Sequence, residues 1–256
     1  MFIEKLFSLA GRTALITGSS RGIGRAIASG LAQAGARIIV NGRDPETVRA
    51  AARGLAESGA DVLEAVFDVT DREAIARGVE KIESEIGAID ILVNNAGVNY
   101  RAFLQDYPAD QWDRLVRINI EGVFFTGQAV ARHMIPRGQG KIINICSVNS
   151  LMSRPTNAVY TTTKGAVMNL TKGMATDWAR LGLQVNGIAP GYFDTDLAQG
   201  LKADESFEPW LFKRVPAGRW GRLEELLGAA VFLASDASSY VNGHVLFVDG
   251  GMTASV

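Results

Sequence analysis

A tyrosine and a lysine four positions apart could form an acid–base catalyst. In a helix Tyr160 and Lys164 would lie on one face, because residues four apart are neighbours there. A phenol has an ordinary pKa near ~10, and a nearby cation lowers that pKa. Ser147, which ends an apolar segment upstream of this pair, adds a hydroxyl group. The pattern predicts that Lys164 lowers the pKa of Tyr160, so that Tyr160 can transfer a proton near neutral pH.

This spacing is also common on solvent-exposed helices, so the surrounding elements decide its meaning. Apolar segments rich in Val and Ile are expected to be strands: Thr13 to Thr17, Arg37 to Asn41, Val62 to Asp68, Ile89 to Asn94, Lys141 to Cys146, Gln184 to Ala189 and His244 to Val248. Helical patterns lie between them: Gly22 to Gly35, Pro45 to Ser58, Asp71 to Gly87, Asp110 to Met134, Asn157 to Leu181 and Arg222 to Ala234. Strands that are apolar on both faces and alternate with helices indicate a parallel sheet covered on both sides. We therefore predict an α/β fold, a single doubly wound Rossmann-type domain over residues 1–256 with a parallel seven-stranded sheet.

A glycine-rich segment follows the first predicted strand and opens the first long helix. It reads Gly18-Ser19-Ser20-Arg21-Gly22-Ile23-Gly24. Glycines allow a tight turn and close approach of the backbone to a pyrophosphate, and the free amides of a helix start attract its charge. The segment predicts a dinucleotide site.

The end of the second predicted strand indicates which dinucleotide is preferred. NAD enzymes usually carry an acidic residue there to bind the ribose hydroxyls. Here the strand ends in Asn41-Gly42-Arg43, without an acid. Arg43, assisted by Arg21 in the glycine-rich segment, could pair with a 2′-phosphate. We therefore expect a preference for NADP(H), with NAD(H) possible.

Composition excludes several other classes of protein. The 26 Lys and Arg residues are balanced by 27 Asp and Glu, so the surplus of positive charge that nucleic acid binding needs is missing. The sequence has one cysteine and two histidines, so neither a disulfide nor a zinc cluster is expected. The sequence contains neither a secretory signal pattern nor an apolar run of about 20 residues. We expect a cytoplasmic protein that binds neither nucleic acid nor membrane and requires no metal.

Taken together, the motifs resemble those of the short-chain dehydrogenase/reductase family over nearly the whole chain. They occur in the family's order: Thr17 to Gly24, Asp68-Val69, Asn94-Asn95-Ala96-Gly97, Asn119, Ser147 with Tyr160 and Lys164, and Pro190-Gly191 followed by Thr195. The resemblance implies hydride transfer between a nicotinamide cofactor and a carbonyl group. It also implies a homotetramer, with contacts from the Asn157 to Leu181 helix and the C-terminal end.

The resemblance implies a role for each matching residue. Tyr160 would be the general acid or base, Ser147 would bind the reacting oxygen, and Lys164 would also hold the nicotinamide ribose. Asn119 would interrupt its helix and position a water molecule for proton relay. The remaining cofactor contacts would be Gly18, Ser20, Arg21, Gly22, Ile23, Gly24, Arg43, Asp68, Val69, Asn95, Ala96, Gly97, Pro190, Gly191, Phe193 and Thr195.

The variable segments bear on the substrate. Segments 41–45, 133–138 and 216–221 resemble those of family members that interconvert D-gluconate and 5-keto-D-gluconate. A sugar acid needs a cation for its carboxylate, and Arg101 and Arg154 lie in loops expected at the cleft. Asn149 and the segment from Asp196 to Lys213 could add contacts. We expect the aromatic residues Phe207, Trp210 and Phe212 to serve packing or subunit contacts rather than substrate stacking.

Two alternatives stay open at this point. The first is a 3-oxoacyl-acyl-carrier-protein reductase, for which Arg132, Arg137 and Lys141 could form a basic rim that meets an acidic carrier. The second is a non-catalytic, NADP-binding regulatory protein on the same fold. The complete set of Asn119, Ser147, Tyr160 and Lys164 argues against the second alternative.

Overall fold

A parallel seven-stranded sheet lies at the centre of the protein. The computed structural model describes residues 2–195, 201 and 203–255. The strand order is β3-β2-β1-β4-β5-β6-β7, and all paired strands are parallel. The strands are β1 (Thr13–Ile16), β2 (Arg37–Gly42), β3 (Val62–Val66), β4 (Ile91–Asn94), β5 (Gly140–Ile145), β6 (Leu183–Pro190) and β7 (Val245–Val248).

Helices connect these strands and cover both faces of the sheet. The helices are α1 (Phe2–Phe7), α2 (Gly22–Gln33), α3 (Pro45–Ala56), α4 (Arg72–Lys81), α5 (Ala109–Val116), α6 (Gly122–Arg137), α7 (Ala158–Trp178), α8 (Phe207–Arg214) and α9 (Leu227–Ala234). Two of them begin at a capping aspartate, since Asp44 accepts a hydrogen bond from Thr47 N and Asp71 accepts one from Ala74 N. None of the described helices is long and apolar enough to cross a membrane.

The apolar core consists of two layers, one on each face of the sheet. On one face, Ile27 of α2 and Leu233 of α9 pack in the cluster that contains Ile16 of β1. On the other face, Val130 of α6 and Met174 of α7 pack with other strand residues. Both layers consist of fully or almost fully buried side chains. The prediction of a doubly wound α/β fold is confirmed.

The strand predictions agree closely with the structure, whereas two helix predictions miss interruptions. The segment predicted from Asp71 to Gly87 is α4 followed by a π-helical turn at Ile82–Ile86. The segment that the apolar pattern predicted from Asp110 to Met134 is divided by a second π-helical turn at Arg117–Glu121. Only the family resemblance predicted an interruption there, at Asn119. The sequence pattern did not identify α1, which has no buried residue, or the short helix α8. Apolar periodicity detects long helices packed on the sheet and is weak for such short ones.

The strand order also fixes where a ligand can bind. The chain runs outward from β1 to β3 on one side and from β4 to β7 on the other. At such a reversal, the loops that follow the carboxyl ends of the strands diverge and leave a crevice. The loops after β1 and β4 flank this crevice, and the loop after β5 lies beside it. These loops carry the glycine-rich segment, Asn95 to Gly97 and Ser147.

Candidate active site

The loop after β1 fits closely against the loop after β4. Gly18 has a φ of 63°, and a Cβ added there would lie 2.9 Å from Ala96 Cα. A Cβ on Gly24 would lie 2.7 Å from Gly18 O and would also overlap the Asn95 side chain. Side chains larger than hydrogen would therefore separate the two loops. The φ of Gly18 agrees with the predicted tight turn. The close packing of the two loops was not predicted, and the approach to a pyrophosphate stays a prediction.

Hydrogen bonds join the same two loops. Thr17 Oγ1 accepts from the amides of Asn95 and Ala96 at 3.0 and 3.1 Å. Asn95 Nδ2 donates in return to the carbonyl oxygens of Thr17 and Gly18, both at 3.0 Å. Thr17 is thus a site-forming residue whose role the sequence reasoning missed. The position of Thr17 at the end of the first predicted strand was the signal in the sequence that could have indicated this role.

The beginning of α2 fits the pyrophosphate of a dinucleotide. Arg21 is the N-cap residue and makes no side-chain cap hydrogen bond. A Cβ on Gly22 would meet no atom within 4 Å, so the space above this turn is open. Open space beside uncapped helix amides is what an anionic group needs. The half-buried Ser20 and Ile23 flank this turn.

The end of β2 carries a cation where an acid would bind ribose hydroxyls. Asn41 is buried and donates through Nδ2 to the carbonyl oxygens of Ala65 and Phe67, at 2.9 and 3.2 Å. The Asn41 side chain is therefore occupied by backbone carbonyl groups of β3 and of the loop that follows it. Arg43 is exposed, as is Arg21, and neither side chain has a hydrogen-bond partner among the described residues. Both guanidinium groups are thus available to a phosphate.

At the end of β3, Asp68 and Val69 border the crevice. Asp68 Oδ1 accepts from the amide and the hydroxyl of Thr70, both at 2.9 Å. Val69 is buried, and a Cβ on Gly122 would lie 3.1 Å from its Cγ2. The structure places both residues where the sequence predicted. Their contact with adenine stays a prediction.

Ser147, Tyr160 and Lys164 come together at the carboxyl end of β5. Tyr160 and Lys164 lie on α7, and the Tyr160 hydroxyl is hydrogen-bonded to the Ser147 side chain. Lys164 is buried, and its Nζ donates to Ile145 O at 2.7 Å. The same nitrogen lies 5.8 Å from the centroid of the Tyr160 ring. The hydroxyl pair and the ammonium group thus form the candidate acid–base site.

The pKa of Tyr160 differs from the sequence-based expectation. Burial raises the pKa of Tyr160 to about 12, although the hydrogen bond with Ser147 acts in the opposite direction. Burial also lowers the pKa of Lys164 to about 8. Loss of hydration is the largest effect on both groups, so the net pKa of Tyr160 is raised and not lowered, and the effect of Lys164 on Tyr160 stays a prediction. Sequence spacing could not reveal this, since it does not report burial.

Asn119 lies in the π-helical turn at Arg117–Glu121 and is fully buried. Its Oδ1 accepts from Val98 N at 2.9 Å, and its Nδ2 donates to Val98 O at 2.9 Å and to Thr163 Oγ1 at 3.0 Å. A Cβ on Gly97 would lie 3.4 Å from Asn119 Oδ1 and 3.7 Å from Lys164 Nζ. The predicted interruption of the helix at Asn119 is present. Asn119 thus holds the loop after β4 against α7 beside Lys164.

A turn links Ser147 to the helix that carries the tyrosine and lysine. Ser147 Oγ accepts from Asn149 N at 3.1 Å, and Ser150 Oγ accepts from Ser147 N at 3.3 Å. Ser150 Oγ also donates to Lys164 O at 2.9 Å. Asn149 is buried, and its backbone amide helps to shape the turn through its hydrogen bond to Ser147 Oγ. Contact between its side chain and substrate stays a prediction.

The loop after β6 carries the residues predicted to contact the nicotinamide, and this contact stays a prediction. Pro190 ends the strand, and a Cβ on Gly191 would lie 2.8 Å from Asp249 Cα. Phe193 is buried and pairs with Gly221 through an isolated bridge. Thr195 is half-buried. The predicted segment from Asp196 to Lys213 lies partly outside the described residues, at 196–200 and 202.

Arg154 is fixed over an aromatic cluster. Its Cζ lies 3.9 Å from the ring centroid of Trp210 and 4.7 Å from that of Phe207. Its Nη1 donates to the hydroxyl of Tyr192 at 3.3 Å. Tyr192 in turn packs edge-on against Phe207, Trp210 and Trp220. Phe207 and Trp210 serve packing, as predicted, whereas Phe212 is exposed.

Arg101 lies on the neighbouring loop and is exposed. Its Nε donates to Thr156 Oγ1 at 3.2 Å, and its Nη2 donates to Pro155 O at 3.5 Å. Both arginines act on Asp204, because each lowers the pKa of its carboxyl group, after the larger effect of hydrogen bonds from Ser206. The described residues contain no group of His, Cys, Asp and Glu that could hold a metal ion.

The site and its surroundings match one protein family throughout. A family model described as enoyl-(acyl carrier protein) reductase matches residues 18–253. The chain is 60% identical to gluconate 5-dehydrogenase of Gluconobacter oxydans (strain 621H), over 98% of both chains. The chain belongs to the short-chain dehydrogenase/reductase family. Other members include 5-keto-D-gluconate 5-reductase of Escherichia coli (strain K12), which is 50% identical over 99% of this chain and 100% of that protein.

A solved short-chain dehydrogenase/reductase structure is similar over the full fold. Gluconate 5-dehydrogenase from Burkholderia cenocepacia J2315, in complex with NADP and tartrate, is 56% identical and superposes with a TM-score of 0.97. The match covers 99% of this chain and 100% of that one. A gluconate dehydrogenase-like structure from Agrobacterium tumefaciens, at 45% identity, has a TM-score of 0.96.

Proposed function

We propose that the protein is an NADP-dependent oxidoreductase that interconverts D-gluconate and 5-keto-D-gluconate. One observation carries the proposal: the Tyr160–Ser147 hydroxyl pair is bordered by two loops that bear Arg101 and Arg154. Such a site offers a proton to a ketone and cations to a carboxylate. The relatives that act on gluconate and its 5-keto form support this substrate class.

The proposed chemistry assigns one task to each catalytic side chain. A nicotinamide cofactor supplies or accepts the hydride when it is bound. Tyr160 transfers the proton to or from the reacting oxygen, and Ser147 donates a hydrogen bond that stabilises charge on that oxygen. Lys164 holds the ribose hydroxyls and contributes positive charge. Asn119, held between Val98 and Thr163, positions a water molecule that connects Lys164 to solvent.

The proposed cofactor contacts follow the carboxyl edge of the sheet. Gly18, Ser20, Gly22, Ile23 and Gly24 bind the pyrophosphate, and Arg21 and Arg43 bind the 2′-phosphate. Asp68 and Val69 bind the adenine, while Asn95, Ala96 and Gly97 lie beside the ribose. Pro190, Gly191, Phe193 and Thr195 contact the nicotinamide. The fit of α2 and its glycines to an anionic group supports this arrangement.

Arg43→Ala should reduce the preference for NADPH over NADH. A charge-assisted hydrogen bond to phosphate is worth roughly 1.5 to 3 kcal/mol, so the ratio of the two kcat/KM values should fall about ten- to a hundredfold. The measurement is steady-state kinetics with each cofactor at a fixed ketone concentration. Arg49→Ala is a matched control, because Arg49 is exposed on α3 and already pairs with Glu46. An unchanged ratio in Arg43→Ala would contradict the assignment.

The structure weakens the acyl-carrier-protein alternative. Of the three cations predicted to form a basic rim, Arg137 pairs with Glu83 at 2.6 Å and also donates to Ile89 O. Lys141 is buried on β5, close to Ser238. Only Arg132 of these three is available to a carrier, so the predicted rim is wrong. Sequence position alone could not reveal the pairing of Arg137 or the burial of Lys141.

A single assay separates the candidate functions. NADPH absorbance should fall rapidly with 5-keto-D-gluconate, and kcat/KM for this ketone should exceed that for acetoacetyl thioesters at least about a hundredfold. A binding or regulatory protein would bind NADPH without oxidising it in the presence of any of these ketones. Faster reaction with the thioester would instead favour the acyl-carrier-protein alternative.

We also propose a cytoplasmic homotetramer built from single-domain subunits. Trp112 on α5 and Phe124 on α6 are 44% and 36% exposed in the isolated chain, an exposure that suits burial between subunits. Light scattering coupled to size-exclusion chromatography measures the subunit number directly.

A further inference from the structure

The loop between Ser147 and Tyr160 contains an unusual backbone conformation. Thr156 has a φ of 68°, whereas every other described residue with a positive φ is a glycine. A β-branched side chain is unfavourable in the left-handed region, because its Cβ crowds the backbone. Strain of this kind persists only where the surroundings enforce it, and it is concentrated at functional sites. The strained conformation of Thr156 therefore indicates that its contacts have a function.

Within the turn, Thr156 Oγ1 donates to Pro155 O at 2.5 Å. Three further hydrogen bonds join the turn to the loop after β4. Thr156 O accepts from Ala102 N at 3.1 Å, and Thr156 Oγ1 accepts from Arg101 Nε at 3.2 Å. Pro155 O accepts from Arg101 Nη2 at 3.5 Å. The left-handed turn thus directs a carbonyl and a hydroxyl group of one residue toward the same neighbouring segment. It ties the loop that carries Arg101 to the loop that carries Arg154.

These hydrogen bonds orient the guanidinium group of Arg101. They use Nε and Nη2, which form one edge of the planar group. Nη1 has no hydrogen-bond partner within residues 2–195, 201 and 203–255. A carboxylate accepts hydrogen bonds in the plane of a guanidinium group, so an oriented Nη1 is a directed donor.

We propose that Thr156 is a positioning residue that holds Arg101 so that Nη1 binds the substrate carboxylate. The inference rests on the proposed sugar-acid function and adds Thr156 as a residue that determines how well the carboxylate is bound. Without the Thr156 hydroxyl, the exposed Arg101 side chain would sample many rotamers, and binding would then include the entropy cost of ordering it. Thr156 acts through Arg101 and does not touch the reacting atoms.

Two substrates distinguish this role from general support of the loop. L-sorbose differs from 5-keto-D-gluconate by a hydroxymethyl group in place of the carboxylate. Thr156→Gly removes the hydroxyl and keeps a residue that adopts the left-handed conformation without strain. We expect its KM for 5-keto-D-gluconate to rise about 3- to 10-fold, the range of one lost hydrogen bond. Its kcat/KM for L-sorbose should stay within about twofold, because no carboxylate is involved.

Two further variants complete the test. Thr156→Ser keeps the hydroxyl, so its KM for the keto acid should equal that of the wild-type enzyme. In an Arg101→Ala background, Thr156→Gly should cause no further rise in KM, because the hydroxyl acts through the arginine. The thermal midpoint of Thr156→Gly should not fall, since relief of strain offsets the lost hydrogen bond.

The outcomes separate this inference from the proposed function. Equal losses on both substrates, or additive losses in the double variant, would make Thr156 a structural residue and overturn the inference. An unchanged KM of Thr156→Gly for the keto acid would also overturn the inference, if the wild-type enzyme prefers the keto acid to L-sorbose. A wild-type enzyme without that preference would refute the sugar-acid function itself, and the role of Thr156 with it.

Discussion

Tyr160→Phe should lower kcat for ketone reduction by about 100- to 10,000-fold, the range that general acid catalysis supplies. The substitution removes the hydroxyl that is hydrogen-bonded to Ser147 and leaves the ring in place. A phenol with a pKa of about 12 is fully protonated at pH 7, so Tyr160 presents the proton that ketone reduction requires. Phenylalanine offers no proton at that position.

Cofactor binding should respond differently. The ring and the ammonium group of Lys164 persist in Tyr160→Phe, so the dissociation constant of NADPH, measured by fluorescence, should change little. Lys164→Ala should weaken NADPH binding and turnover together, because it removes a buried cation beside the crevice. Tyr107→Phe is a matched control, since the Tyr107 hydroxyl contacts only Tyr100 O among described hydrogen bonds. Substantial ketone reduction by Tyr160→Phe would refute the catalytic assignment.

The sequence predicted those parts of the site that depend on local pattern. Runs of Val and Ile identified every strand of the sheet, and glycines marked the turns where loops meet, as at Gly18 and Ala96. These features follow from residue type and spacing over a few positions, which is the information that a single sequence carries. The interruption of the helix at Asn119 was expected from the family resemblance and not from the local pattern.

The features that the sequence missed depend on contacts between distant segments. The pKa of Tyr160 follows from burial, which is set by the packing of the whole fold. The cation–π contacts of Arg154 join it to residues of α8, more than fifty positions away. Thr156 has an ordinary residue type, and only its surroundings impose the left-handed conformation. No local pattern encodes these relations.

Arg154 has surroundings suited to a buried carboxylate contact. Its guanidinium face is held by Trp210 and Phe207, and Nη1 is hydrogen-bonded to Tyr192. Stacking occupies the face of the group and leaves edge donors for a carboxylate. The Tyr192 ring also links this arginine to the catalytic centre, because its hydroxyl is close enough to raise the pKa of Tyr160 slightly, after the larger effect of burial. Arg154 is therefore held by residues that lie close to Tyr160.

Arg154→Gln should reduce kcat/KM for 5-keto-D-gluconate by at least about thirtyfold and by up to several thousandfold. A charge-assisted hydrogen bond contributes roughly 1.5 to 3 kcal/mol, and loss of the cation–π contacts adds about 0.5 to 2 kcal/mol. For L-sorbose only the second contribution is lost, so the reduction should be about 2- to 30-fold. Arg154→Lys should recover part of the activity on the keto acid, because it restores charge without the planar donor geometry.

The comparison between the two substrates decides the role of Arg154. Steady-state kinetics with 5-keto-D-gluconate and L-sorbose measure the loss on each, and Arg132→Gln on the exposed face of α6 is the matched control. A loss much larger on the keto acid means that Arg154 binds the carboxylate, since both substrates depend equally on the aromatic cluster. Equal losses would assign Arg154 to the packing of α8 alone. The carboxylate would then be bound by Arg101 alone of the two arginines, and Arg101→Ala should show a substrate-dependent loss of kcat/KM in either case.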